Sequence, residues 1–169
     1  EGALLTVIDK TGDSLTISWP GAIDDVAVVT YQITVDGIDY RDVSGSQSNA
    51  LITPLKSATE YTIKVEAKDA AGNRSKALDL LLRTADVTAP NWPLSASLSA
   101  FNITETSAEL AWSPAADDSG VHAYEIWHNK VHIATIEGVT THTAFGLSPW
   151  VDYELHIIAL DEAGNGSEI

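Results

Sequence analysis

The sequence predicts an all-β chain built as two tandem antiparallel β-sandwiches, and three observations carry that expectation. Apolar residues alternate with polar ones at period two, as in Leu15, Ile17 and Trp19 or Tyr61, Ile63, Val65 and Ala67. No stretch of ten or more residues keeps a helical apolar period. The chain also states one pattern twice, about 93 residues apart. Leu15-Thr-Ile-Ser-Trp19, Asp24-Asp25 and Tyr31-Gln-Ile-Thr-Val35 return as Ala108-Glu-Leu-Ala-Trp112, Asp117-Asp118 and Tyr124-Glu-Ile-Trp-His128. Leu55, Tyr61 and Asp69-Ala-Ala-Gly72-Asn73 return as Leu147, Tyr153 and Asp161-Glu-Ala-Gly164-Asn165. A period that long is a whole domain, beyond the roughly 20–50 residues of a solenoid repeat.

In chain order, the first half predicts strands near residues 3–9, 14–19, 29–36, 38–43, 49–53, 60–69 and 77–84. The turn formers Asp36-Gly37, Ser44-Gly45-Ser46 and Ala71-Gly72-Asn73 punctuate them. The second half predicts strands near 95–101, 107–112, 122–129, 131–136, 141–145 and 152–160. Short strands at intervals of roughly 8–12 residues read as a sandwich. The domains are expected at 1–88 and 89–169, joined through Ala85-Asp-Val-Thr-Ala-Pro-Asn-Trp-Pro93. Two prolines stiffen that connector and restrict swing, and Trp92 between them is expected to pack against the junction.

Lys76-Ala-Leu-Asp-Leu-Leu-Leu-Arg-Thr84 supplies a seventh strand to the first half, whereas only Gly-Ser-Glu-Ile169 follows Asn165 in the second. Either the last strand of the second sandwich lies in residues beyond 169 or the 152–160 strand is an open edge that another chain could complete; the first is expected, since an unpaired edge invites aggregation. The opening at Glu1-Gly2, directly on a repeat unit, likewise reads as a segment of something longer.

Composition narrows the function. The 169 residues carry a net charge of −15 and no cysteine, which removes thiol chemistry and a disulfide framework. Residues 1–89 hold eight basic and thirteen acidic side chains, whereas residues 90–169 hold Lys130 alone against eleven acids. Phosphate neutralisation needs lysine and arginine clusters, so nucleic acid is not an expected partner, and neither is an anionic membrane. No apolar run reaches the roughly 18 residues of a membrane span.

The tryptophan on the second strand, the tyrosine on the third, and Leu-x5-Tyr-x-apolar-x-apolar-x-Ala before the sixth resemble fibronectin type III modules in both halves. The Asp-Asp pair and the Asp-x-Ala-Gly-Asn turn resemble the bacterial branch of that family. The resemblance implies an immunoglobulin-like sandwich, with Trp19 and Trp112 as core residues and Tyr61 and Tyr153 as corner tyrosines bonded back to the backbone. It further implies a non-catalytic spacer or presentation module, secreted or at the cell surface. The host would be a bacterial protein, foremost a polysaccharide-degrading enzyme, with neighbouring domains of the same polypeptide as partners.

No catalytic constellation stands out, and neither Gly-x-Ser-x-Gly nor His-Glu-x-x-His occurs. Asp24-Asp25 and Asp117-Asp118 are adjacent in loops and do not face each other across the roughly 5–10 Å that glycosidases need. They read as turn caps. The alternative is calcium held by Asp117, Asp118 and Asp161 at one pole of the second sandwich. All five histidines, 122, 128, 132, 142 and 156, lie in the second half, but alternation turns His128 inward and His156 outward, against a zinc site. Thr34 and Lys64 of the first half become Trp127 and His156 in the second, with Ile158 and Leu160 alongside. That outward apolar face is the candidate binding surface, for protein or polysaccharide. Trp150 replaces Ala58 before the corner tyrosine and is expected as a lid on the lower core.

Overall fold

The computed structural model describes residues 4–167. The opening at Glu1-Gly2, the first position of the expected 3–9 strand and the final two residues lie outside them. The described residues form thirteen strands and no helix, and the chain divides into two compact units, Glu1–Asp86 and Val87–Ile169.

In unit 1, β1 (Thr6–Lys10), β2 (Leu15–Ser18) and β5 (Asn49–Ile52) form one antiparallel sheet in the order β1-β2-β5. The other sheet, ordered β4-β3-β6-β7, comprises β3 (Thr30–Val35), β4 (Ile38–Ser44), β6 (Glu60–Lys68) and β7 (Leu78–Arg83). The period-two residues build the core between the sheets. Leu15, Ile17, Ile33, Ile52 and Ile63 are fully buried, and the inward Leu78, Leu80 and Leu82 of β7 pack against them. Trp19 is 4% exposed and meets the Tyr31 ring at 5.4 Å.

Unit 2 pairs β12 (Thr141–Phe145), β9 (Ser107–Trp112) and β8 (Leu98–Phe101) in one sheet. Its second sheet runs β11-β10-β13, from β10 (Val121–His128), β11 (Val131–Glu137) and β13 (Leu155–Asp161). Trp112 is 5% exposed and packs edge-on to Tyr124 at 5.5 Å. Among the described residues there is no counterpart of β7, and beyond β13 only a single bridge, Leu160 to Gly166, is made. A cleft of about 240 Å³, lined by Trp92, Leu98, Trp112, Leu155 and Ile157, opens beside that edge.

Three expectations change. β1 and β8 are exposed along their whole length rather than alternating, and β1 carries a register shift between Val7 and Asp9. Trp92 joins the unit 2 core: its ring lies 5.9 Å from Tyr124 and its indole N–H donates to Ser167 Oγ. Trp150 is no lid. It is fully solvent-exposed at φ 63°, a left-handed position that it shares with Ala58, φ 48°.

Candidate functional site

Turn chemistry absorbs most of the conspicuous carboxylates. Asp24 Oδ1 accepts the backbone N–H groups of Val26 and Ala27, both at 2.9 Å. Asp117 Oδ1 accepts the N–H groups of Ser119 and Gly120 and the Ser119 hydroxyl. Asp69 and Asp161 each receive the N–H and the side-chain amide of the asparagine four residues on, Asn73 and Asn165. These are Asx-type turns, the local competition with extended structure that aspartate and asparagine favour. The Asn73 amide, foremost, holds the Asp69 carboxyl below its usual 3.8.

The three expected calcium ligands separate. One oxygen of Asp117 lies within 4.8 Å of one of Asp161, but Asp118 is exposed and receives the Thr88 hydroxyl at 2.6 Å. Asn165 donates to both Asp161 oxygens, which fixes the carboxylate's orientation. The structure thus brings Asp117 and Asp161 together and sets Asp118 aside.

The histidines do not converge either. The His128 ring lies 4.6 Å from that of Tyr153, tilted by 44°, whereas His132 and His156 lie on the opposite, outer face of the same sheet. The corner tyrosines occupy equivalent positions. The Tyr61 hydroxyl accepts the Lys56 N–H at 2.9 Å, and the Tyr153 hydroxyl accepts the Ser148 N–H at 2.7 Å.

The outer face of β11-β10-β13 holds the remaining candidates. Trp127 pairs across β11 with His132 and across β13 with His156, giving a His-Trp-His row over three strands. The indole N–H donates to Glu125 Oε2 at 3.0 Å, and the His132 ring stands edge-on to the indole at 5.3 Å and 69°. Trp127, His156 and Ile158 line a groove of about 440 Å³ together with Lys130 and Glu154. Leu160 is not part of it. The chain returns over that end of the face at Gly166, where a Cβ would stand 3.3 Å from Ile158 and 3.4 Å from Leu160.

Alternation along the sixth strand of the second half sets Glu154 outward beside His156 and Ile158, as found; sequence reasoning missed Lys130. Lys130 sits in the two-residue β10–β11 hairpin, where Asn129 and Lys130 both take positive φ, 46° and 67°, as a type I′ turn requires. The equivalent turn of unit 1 is Asp36-Gly37, and an unfavourable residue where unit 1 has glycine was the available signal.

A family model for the fibronectin type III domain matches residues 3–79 and again residues 91–169. Chitinase A1 of Niallia circulans is 32% identical over 93% of this chain, and Exoglucanase B of Cellulomonas fimi is 30% identical over 96% of it. The chain spans only 23% and 16% of those two relatives' own lengths. Among solved structures, a two-domain fibronectin type III segment of chicken tenascin aligns over 99% of this chain and 95% of its own length, with 24% identity and a TM-score of 0.46.

Proposed function

The chain belongs to the fibronectin type III family, and on that premise we propose that it is a non-catalytic spacer within a larger, extracellular, polysaccharide-degrading polypeptide. Its relatives include a chitinase and an exoglucanase of which it matches only 23% and 16%, which supports an accessory part of such a chain. Their polymeric substrates are too large to enter a cell, which supports a secreted or surface location.

The observation that carries the spacer reading is how each unit fastens its own end of the connection. In unit 1, the Ala85 N–H donates to the Thr11 carbonyl at 3.0 Å, and the Ala85 carbonyl accepts the Ala58 N–H at 3.2 Å. In unit 2, Thr88 bonds Asp118, Asn91 and Ala116 exchange both backbone hydrogen bonds, and Trp92 sits in the core. The ordered part of each unit therefore reaches almost to the boundary at Asp86 and Val87. On this reading the pair separates the domains that flank it.

Two measurements test the reading. Incubated with chitin or cellulose, the pair is expected to release no soluble sugar; turnover would overturn the non-catalytic assignment. Small-angle scattering is expected to fit one extent, which broadens when a six-residue Gly-Ser segment is inserted between Asp86 and Val87 (roughly 5–6 Å × √n of added reach). Equal breadth with and without the insertion would overturn the spacer.

A further inference from the structure

We propose that the Trp127 groove of unit 2 binds one pyranose ring of an uncharged glycan, stacked on the indole, so that the spacer also touches the polymer. The groove's wall is fixed before any ligand arrives. Glu125 holds the indole N–H, His132 supports the ring edge-on, and His132 is itself held by Thr135 at 3.0 Å. A ring held by a hydrogen bond and a ring contact loses little freedom when a ligand stacks on it.

The polar groups around the wall select the ligand class. Lys130 is the one lysine or arginine among residues 87–169, and it lines this groove together with an acceptor, Glu154, whose Oε1 lies 3.7 Å from His156 Nε2. Lys130 faces two carboxylates, Glu154 in the groove and Glu125 on the indole N–H, so no positive excess is left to attract a polyanion. An apolar peptide side chain would strip water from Lys130, Glu154 and His156 without replacing their hydrogen bonds, which is costly. A pyranose meets both requirements. The weakly positive C–H face of the sugar lies on the negative π face, and the equatorial hydroxyls around its rim donate and accept with the three polar groups. A volume of about 440 Å³ falls within the range of small-ligand sites.

The hairpin supplies an independent argument. Unit 1 closes the equivalent turn with Gly37 at φ 78°, for which that conformation is free of strain. Unit 2 places Lys130 there at φ 67°, against its intrinsic preference. Strain of this kind marks a side chain retained for what it does. Lys130→Gly is therefore expected to raise the melting temperature while weakening glycan binding, a combination that a purely structural lysine would not give.

This inference rests on the reading that the pair lies beside a polysaccharide, and its test is separable from that reading. The whole chain is titrated with β-1,4-linked glucose and N-acetylglucosamine hexasaccharides, followed by calorimetry and indole fluorescence. Saturable binding of at least one is expected. Trp127→Ala should weaken it by more than about tenfold and Lys130→Gly by about tenfold, while Trp150→Ala, outside the groove, changes nothing. Absence of binding, binding indifferent to Trp127→Ala, or binding lost only in Trp150→Ala each overturns the groove. So does concentration-dependent dimerisation abolished by Trp127→Ala, which would make the face a self-interface. A normal scattering result alongside any of these leaves the spacer standing.

Discussion

The hydroxyl of Tyr61 accepts the backbone N–H of Lys56 at 2.9 Å, five residues upstream, and ties the loop after β5 to the start of β6. Tyr153 and Ser148 repeat the relation in unit 2 at 2.7 Å. Tyr61→Phe removes the acceptor and leaves a half-exposed ring in place. The expected loss is about 1 kcal/mol in chemical denaturation, for the net value of one such bond. The Tyr153→Phe loss should be similar and confined to the unit 2 transition. No measurable loss in either would remove the corner from the account of stability.

Gly45 follows β4 where the chain doubles back against β3. A Cβ at this position would stand 2.1 Å from the Val28 carbonyl oxygen, a backbone atom with no side-chain freedom to yield, whereas nothing lies within 4 Å of a Cβ on Gly21. Gly45→Ala should therefore cost about 1–3 kcal/mol by forcing the backbone apart, and Gly21→Ala should be close to neutral. Equal effects in thermal or urea unfolding would contradict the close approach.

The Asp69 carboxyl titrates below its usual 3.8, chiefly because the Asn73 amide favours the ionised form. A depressed folded pKa contributes stability above the unfolded pKa and loses it as pH falls through the folded value. The Asp69→Asn variant should therefore lose stability relative to wild type near neutrality and converge with it in strong acid. Carboxyl NMR checks the cause directly. An Asp69 midpoint at or above that of a free aspartate would contradict it.

The sequence made the interior legible because burial in a sandwich has a period. Leu15, Ile17 and Trp19, or Ile63, Val65 and Ala67, announce one face of a strand, and all six are buried. Turn aspartates were legible for a similar reason, since Asp24, Asp69, Asp117 and Asp161 bond N–H groups two to four residues away. What stayed hidden depends on non-periodic contacts. Trp92 reaches Ser167 across 75 positions of sequence, and Asp118 meets Thr88 across 30. Lys130 enters the groove from a hairpin, where alternation no longer fixes direction, and Leu160 lies outside the groove at the end of the face that Gly166 crosses. Trp150 looked like a buried aromatic but is carried outward by a left-handed backbone.

The spacing claim is tested most directly by an electron-spin distance measurement across the pair. The chain has no cysteine, so Asp39→Cys in unit 1 and Glu105→Cys in unit 2, both at exposed positions, accept one label each without background. A single narrow distance distribution is predicted, broadening when the Gly-Ser segment is inserted between Asp86 and Val87. A wild-type distribution as broad as that of the insertion variant would contradict the account.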